Sequence, residues 1–562
     1  MSVYPSIALG GIFLAIKSTF LTEENEASPT QRLVGHVASF VLGIVAFQLF
    51  SKCRERMQGR SIQTQVWRTS GNFPEQSLER VQKKEDIGIA FSGGGTRSAS
   101  ASLGQLAALS EIGILDRARY ISAVSGGGWA TTPYTFLPRH ISDQVFFGRF
   151  ATHPEALTMQ RVDALAQSSF AEALSQTVII DDFLKHAISG SGDETYSRAV
   201  GSLFLKPFDL NDTSCSFTYD RETRELADKN LSYYTTKDNR PFLIIGVVLL
   251  TKEFGKIPLE MTAQYTGVRG HFVKKTCAIG GSYLSSYGYD SEASLDAFPQ
   301  EASSTTTQVK PSSKNNLFNL AEMMGCTSAA PQEILKKMGL DFLGFPELHY
   351  WGLNNNQTSF TPSREISHGD GAFLENLGLM PLFARQVRRV LTFVNTMEPL
   401  EYNETHEEKS CVAASIRPLF EPVPDREGEG FFSKNIVLKG GREKYLELIR
   451  ALYKKKVQGE TLIYTDTYSV MANPFYGVNQ PYDVRITWIY NERVKEWESQ
   501  LPKAVRDQIG QGELTRFPHY RTFLENAPKL IDLSERQVSL LSHLSYWNVQ
   551  SNGDEILKSM SS

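Results

Sequence analysis

Two short apolar runs, each followed at once by a cluster of glycines, constrain the fold more than any other feature of this sequence. Ile87–Phe91 leads into SGGGTR, and Tyr120–Val124 leads into SGGGW. Between them, residues 96–113 are rich in Ala, Leu and Ser, with apolar residues at helical spacing. A strand, a helix and a second strand in this order predict a parallel sheet with a right-handed crossover. We therefore expect an α/β fold whose mainly parallel central sheet is flanked by helices.

The rest of the chain divides into a folded body and polar segments. Residues 242–250 form a fully apolar run, which predicts another central strand, and residues 365–396 predict strand, helix, strand. Residues 61–83 are polar and aperiodic, so we expect a linker, and residues 287–316 are rich in Ser and Thr, so we expect a flexible surface loop. The 562 residues exceed the roughly 250–300 at which single cores stop growing. Residues 84–555 are therefore predicted to form one large catalytic body with inserted cap segments.

The first 60 residues predict a membrane anchor. Leu33–Phe50 carries no formal charge over eighteen residues, and four basic residues follow it closely. Val3–Leu21 is a second apolar stretch, interrupted only by Lys17. The basic cluster favours the cytoplasmic side, which places everything after residue 51 in the cytosol. A cleaved signal peptide or a buried core hairpin is the alternative, and the organelle stays open.

Charge and cysteine usage exclude several classes of protein. The net charge is -4 with no basic block, so nothing indicates a nucleic-acid partner. The five cysteines are widely spaced and contain no C-x-x-C pair, which argues against a disulfide framework and a structural zinc. The ten histidines show no paired metal-binding spacing, so we expect neither a catalytic metal nor another cofactor. Nothing in the sequence indicates an oligomeric state.

Three short motifs each follow a predicted strand. The glycines of Gly93–Gly95 let backbone N–H groups converge where a helix begins, which suits a phosphate or an oxyanion, although a tight turn is an equal alternative. Ser125 follows a predicted strand and precedes Gly126, as expected for a nucleophile elbow. An ordinary Ser-Gly turn is the alternative. Asp370 precedes Gly371, which is also common turn chemistry. Their joint occurrence, each at the carboxyl edge of one sheet, predicts an active site.

These motifs resemble the catalytic domain of the patatin-like and cytosolic phospholipase A2 superfamily. Gly93–Arg97 is similar to its GGGxR motif, and ISAVSGGGW at Ile121–Trp129 to its nucleophile motif, with Ala123 in place of a Gly. Met323–Pro331 resembles its S-S-A-A-P segment, and Asp370–Ala372 with the following ENLGL resembles its D-G-G/A motif. HLSYWNV at His543–Val549 is similar to the end of lysophospholipase relatives.

The resemblance implies a Ser–Asp dyad in which Ser125 attacks an ester and Asp370 accepts its proton. It also implies an oxyanion hole at Gly93, Gly94 and Gly95, above all from the N–H groups of the last two. Two further residues, Arg97 and Gly126, are implied to bind substrate, Arg97 by meeting a phospholipid phosphate or by fixing the loop.

His368 lies two residues before Asp370 and could suggest a triad, but the family uses none, so a structural role is expected. About 85 residues precede the catalytic body, too few for the calcium-binding C2 module of some relatives. The predicted function is therefore calcium-independent hydrolysis of phospholipid or lysophospholipid acyl esters, with a lipid membrane as partner.

Three alternatives stand beside this prediction. An acyltransferase would pass the same acyl-serine to an alcohol, and a catalytically silent protein would only bind lipid. A nucleotide-binding protein would use the glycine loop, but the Lys of a P-loop is missing.

Overall fold

The computed structural model describes residues 61–175, 194–227, 229, 231–275, 277–293, 297–312, 317–330, 344–406, 410–423, 434–521 and 533–561. Its strands are β1 (Ile62–Arg68), β2 (Glu85–Phe91), β3 (Ala118–Val124), β4 (Cys215–Thr218), β5 (Ser232–Thr235), β6 (Phe242–Thr251), β7 (Gly255–Thr262), β8 (Tyr265–Lys274), β9 (Cys277–Ser285), β10 (Ser291–Ala293), β11 (Ser304–Pro311), β12 (Glu347–Tyr350), β13 (Arg364–Asp370), β14 (Arg389–Val394), β15 (Leu462–Val470) and β16 (Tyr482–Tyr490).

The helices vary from single turns to five turns. They are α1 (Glu79–Gln82), α2 (Gly95–Glu111), α3 (Ile114–Arg117), α4 (Gly126–Phe136), α5 (Asp143–Phe147), α6 (Met159–Val162), α7 (Phe170–Ser175), α8 (Thr195–Phe204), α9 (Arg221–Leu226), α10 (Leu320–Thr327), α11 (Met380–Ala384), α12 (Gly441–Gln458), α13 (Lys495–Gln500), α14 (Lys503–Arg506), α15 (Glu535–Gln550) and α16 (Gly553–Ser559).

Five neighbouring strands at the centre of the large sheet run parallel, in the order β6-β3-β2-β14-β16. Their apolar runs are buried almost without interruption, as expected for strands covered on both faces. The predicted strand–helix–strand unit is present as β2-α2-β3. The α/β fold and its parallel centre are therefore confirmed.

Antiparallel strands extend this centre on both sides. Beyond β6 the order continues β7-β8-β9-β1-β11-β10, and β15 pairs antiparallel with β16 at the other edge. The sheet as a whole is therefore mixed, which corrects the expectation of a mainly parallel sheet outside its five central strands.

Residues 61–83 and 287–316 were expected to be a linker and a flexible loop, and both predictions are wrong. β1 lies in the first segment and β11 in the second, and the two pair antiparallel with Ile62 opposite Val309. In the first segment, Glu75 is also fully buried and its carboxylate accepts a 2.7 Å hydrogen bond from Nε of Arg385. The folded body therefore includes the described residues from 61 onward.

The carboxyl end of the chain is also part of this body. In α16 and just after it, Ile556 and Met560 are fully buried. Nη1 of Arg389 in β14 donates to the carbonyl oxygen of Met560 at 2.6 Å. The folded unit therefore runs beyond the predicted end at residue 555.

A helical layer over the parallel centre positions the functional segments. α2 is buried along nearly its whole length and packs against α15 and α4. At Gly104 the α2 and α15 backbones are so close that a Cβ atom would overlap the carbonyl oxygen of Ser542. Because α2 and α4 each begin directly after a central strand, their first turns lie side by side at the sheet edge.

The predicted anchor in residues 1–60 lies outside the described residues. Within the part of the chain that the structure describes, no helix combines the length and the apolar character needed to cross a bilayer.

Candidate active site

The site forms where β3 and β13 meet end to end along one edge of β6. Val124, the last residue of β3, pairs with Gly246, and Asp370, the last residue of β13, pairs with Val247. β7 occupies the other edge of β6 over the same residues, so β3 and β13 share the remaining edge. Adjacent residues of β6 therefore bring Asp370 beside the residue that follows β3, which is Ser125.

This arrangement differs from the predicted one in a single respect. Asp370 lies at the carboxyl end of its strand, as expected, but β13 runs antiparallel to β6. The carboxyl ends of β3 and β13 therefore point toward each other, and Asp370 comes from an antiparallel strand and not from a parallel neighbour of β3. A Cβ atom at Gly371 would overlap the carbonyl oxygen of Gly246, so the turn after Asp370 requires glycine for close approach.

Ser125 occupies a strained turn between β3 and α4. Its φ of 52° and ψ of -124° lie in a region that residues with a side chain rarely adopt, and such strain is typical of nucleophile elbows. Small neighbours make the turn possible, since a Cβ atom at Gly126 would overlap the carbonyl oxygen of Gly95. The turn directs the Ser125 hydroxyl to Asp370, and Oγ donates to Oδ2 at 2.8 Å.

Asp370 is held as a hydrogen-bond acceptor on both carboxylate oxygens. Oδ2 accepts from Ser125, and Oδ1 accepts from the backbone N–H of Ala372 at 2.8 Å. Only 2% of the residue is exposed, and this burial raises the pKa of Asp370 from 3.8 to about 7 against the opposing effect of the two hydrogen bonds. A carboxylate with a pKa near neutrality is a stronger base than an exposed one, which suits proton transfer from a serine.

Thr327, at the end of α10, fixes the elbow to β6. The backbone N–H of Ser125 donates to Oγ1 of Thr327 at 3.0 Å, and the Thr327 hydroxyl donates to the carbonyl oxygen of Gly246 at 2.6 Å. Sequence reasoning placed this threonine in a family-like segment without giving it a role. Only the contact between two segments 202 residues apart shows that it positions the serine.

The glycine loop lies against the elbow, but its three residues are not equivalent. Gly94 and Gly95 have φ angles of 135° and 58°, which favour glycine, and they begin α2. N–H groups in the first turn of a helix, which here begins at Gly95, lack intrahelical acceptors, so this turn is a suitable place for an oxyanion. Gly93 is different, because its N–H donates to the carbonyl oxygen of Asn376 at 2.9 Å. The structure therefore corrects the prediction that Gly93 is an oxyanion donor.

Arg97 is buried beneath the loop. Nε donates to the carbonyl oxygen of Asn395 at 3.1 Å, and Nη1 donates to that of Tyr520 at 2.6 Å. Burial lowers the pKa of Arg97 to about 10. Two roles were predicted for Arg97, and these contacts favour the one in which it fixes the glycine loop. Its contact with a substrate phosphate stays a prediction.

His368 does not complete a triad. Its Nδ1 lies 2.8 Å from the carbonyl oxygen of Ile366, which can only accept, and its Nε2 lies 2.8 Å from the hydroxyl of Tyr289. Burial lowers the pKa of His368 to about 4, so the ring is neutral at pH 7. The expected structural role is confirmed.

Within the described residues, no group of three or more His, Cys, Asp and Glu side chains is arranged to hold a metal ion. Ser125, Asp370 and the glycine loop lie together where β3 and β13 end.

No protein-family model matches the chain, and no curated protein sequence does. Among solved structures, the chain is similar to human GIVD cytosolic phospholipase A2, with a TM-score of 0.42 and 12% identity over 86% of this chain and 62% of that one. It is also similar to the same human enzyme in complex with methyl gamma-linolenyl fluorophosphonate and terbium chloride, with a TM-score of 0.40 and 13% identity over 86% and 61% of the two chains. The chain thus spans about three fifths of the length of the structures that it matches.

Proposed function

We propose that this protein hydrolyses acyl esters of glycerophospholipids or lysophospholipids through an acyl-serine intermediate. The observation that carries the proposal is the 2.8 Å hydrogen bond from Ser125 Oγ to Asp370 Oδ2 at a strained, buried elbow. A serine nucleophile needs an adjacent base, and here the base is in direct contact with it.

The proposed reaction begins with attack of Ser125 Oγ on the ester carbonyl carbon while its proton passes to Asp370 Oδ2. The carbonyl oxygen becomes an oxyanion beside the N–H groups of Gly94 and Gly95. Its collapse releases the alcohol, which takes the proton from Asp370, and the acyl group stays on Ser125. Asp370 then accepts a proton from a water molecule, whose oxygen attacks the acyl-serine. As this second intermediate collapses, Asp370 returns the proton to Ser125 Oγ and the fatty acid is released.

The lipid class is supported by the motif resemblance of Gly93–Arg97, Ile121–Trp129 and Asp370–Ala372. Each proposed step uses protein groups and water, so we expect hydrolysis to continue in the presence of a calcium chelator. The apolar residues 33–50 would hold the enzyme at a membrane with its catalytic body in the cytosol. Release of the protein from membranes by alkaline carbonate in the absence of detergent would contradict that anchoring.

The experiment uses the full chain with phosphatidylcholine and lysophosphatidylcholine vesicles, with and without EDTA, and measures free fatty acid. Ser125→Ala and Asp370→Asn test the dyad. The matched controls are Ser551→Ala and Asp238→Asn, two exposed positions. We expect release that EDTA does not change, that both dyad variants abolish and that both controls retain.

Three outcomes would contradict parts of this proposal. Release that survives Ser125→Ala would exclude the acyl-serine. Consumption of phospholipid with appearance of a transferred acyl product, and without free fatty acid, would show an acyltransferase. Vesicle binding without any turnover would show a lipid-binding protein that lacks catalysis.

A further inference from the structure

Asn376 lies in the turn after Asp370 and contacts the glycine loop. Its backbone carbonyl oxygen accepts the N–H of Gly93 at 2.9 Å. The turn is held from inside by the buried Glu375 carboxylate, which accepts the N–H groups of Leu377 at 2.6 Å and Leu379 at 2.8 Å. The position of Asn376 is therefore set by backbone contacts that do not involve its side chain.

The side chain of Asn376 faces the reaction centre without a partner. Its Oδ1 is buried and has no hydrogen bond, whereas the residue as a whole is partly exposed. A Cβ atom placed on Gly93 would overlap Oδ1 of Asn376 and would lie 3.1 Å from Cβ of Ser125. The amide oxygen of Asn376 and Cβ of Ser125 therefore lie close to the same point beside Gly93.

A buried side-chain oxygen without a partner, such as Oδ1 of Asn376, is unusual, because polar atoms in protein interiors are nearly always paired. The Nδ2 group carries two donors, and rotation about χ2 exchanges it with Oδ1 without a change of shape. The turn that occupies the Gly93 N–H thus brings another donor group to the same loop.

We propose that Asn376 is a catalytic residue whose side-chain amide donates a hydrogen bond to the ester carbonyl oxygen as that oxygen becomes an oxyanion. It acts as the third donor beside the N–H groups of Gly94 and Gly95, in the place that Gly93 cannot fill. This inference rests on the proposed acyl-ester hydrolysis.

The test compares Asn376→Ala and Asn376→Asp with wild type on p-nitrophenyl butyrate, a soluble ester that removes vesicle binding from the measurement. Asp has the shape of Asn but, when ionised, has no donor. We expect both variants to lower kcat by about 100-fold to 1,000-fold, the effect of removing one oxyanion donor, with KM changed by less than about threefold.

A second measurement separates this role from a structural one. An alkyl boronic acid forms a tetrahedral adduct with a serine and imitates the charged intermediate, so its inhibition constant should rise in parallel with the loss of kcat/KM. Glu375→Gln is the structural comparator, because it weakens the turn and should lower the melting temperature. The two Asn376 variants should melt close to wild type.

The outcomes separate a failure of the Asn376 inference from a failure of the proposed acyl-ester hydrolysis. Wild-type kcat in Asn376→Ala, beside an inactive Ser125→Ala, overturns the inference and leaves the proposed function intact. Loss of kcat with a melting temperature as low as that of Glu375→Gln, and with unchanged boronic acid inhibition, shows a structural role and also overturns it. An inactive wild type, whose Ser125 does not react with an alkyl fluorophosphonate, overturns both.

Discussion

The ionisation of Asp370 should affect both stability and catalysis, and its replacement by Asn separates the two effects. Burial raises the pKa of this carboxyl group from 3.8 to about 7, so the fold prefers the protonated form. The corresponding stabilisation is fully present below pH 3.8 and is lost as the pH rises through about 7. The stability of wild type should therefore fall over this range, and Asp370→Asn should lack that part of the change.

The magnitude follows from the two pKa values. At pH 5 the unfolded side chain is ionised, whereas the folded one stays protonated until the pH reaches about 7. From pH 5 to the folded pKa of about 7 there are roughly two pH units, and each is worth about 1.4 kcal/mol. Between pH 5 and pH 8.5, wild type should lose about 3 kcal/mol of unfolding free energy relative to Asp370→Asn.

Urea unfolding of both proteins at pH 5 and pH 8.5 measures this difference. The buried carboxyl group of Glu375, whose pKa burial also raises to about 7, is present in both proteins, so its contribution cancels. Curves for wild type and variant that shift equally between the two pH values would refute the argument, since Asp370 would then titrate alike in both states.

The remaining predictions concern catalysis and the core. Because Asp370 must be ionised to act as a base, kcat/KM for p-nitrophenyl butyrate should fall below an apparent pKa of about 7; a profile flat down to pH 5 would contradict this. Thr327→Val removes the hydroxyl that fixes the elbow and should lower kcat about 10-fold to 100-fold. Thr327→Ser keeps this hydroxyl, and its kcat should stay within about threefold of wild type. Equal kcat values in the two variants would contradict the positioning role. Glu75→Gln leaves Arg385 partly unpaired in the core and should cost about 3 kcal/mol in urea unfolding without changing the pH profile; a loss below about 1 kcal/mol would contradict it.

The sequence predicted the centre of the fold well, because its central strands are continuous apolar runs. β3 and β6 begin within two residues of their predicted limits, and α2 ends two residues before its predicted end at Gly113. Strands covered on both faces show themselves in sequence without knowledge of their neighbours.

The flanking strands β1 and β11 were missed because neither of them is a continuous apolar run. β1 and β11 alternate buried and exposed residues and are rich in Thr and Gln, so each resembles a polar loop when it is considered alone. They are stabilised by pairing with each other across more than 230 residues. The buried ion pair of Glu75 and Arg385 joins positions 310 residues apart, and no local pattern reveals such a partner.

Within the candidate site, the local motifs predicted Ser125 and Asp370, which the fold brings into contact, but not the residues that hold them in place. Ser125 directly follows β3 and Asp370 ends β13, each next to small residues, and a sequence can show such a pattern. The positions of Thr327 and Asn376 depend on how separate segments pack against the elbow and the glycine loop. The same packing occupies the N–H of Gly93, which the motif alone had assigned to the oxyanion.

The most direct test of the central claim is to trap the acyl group on Ser125. Wild type is mixed with p-nitrophenyl butyrate, quenched in acid within milliseconds to seconds, digested and analysed by mass spectrometry. We predict a butyryl group on the peptide that contains Ser125, formed together with a burst of p-nitrophenol and absent in Ser125→Ala. Steady hydrolysis with no acyl group on Ser125, or with the acyl group on another residue, would contradict the Ser–Asp mechanism.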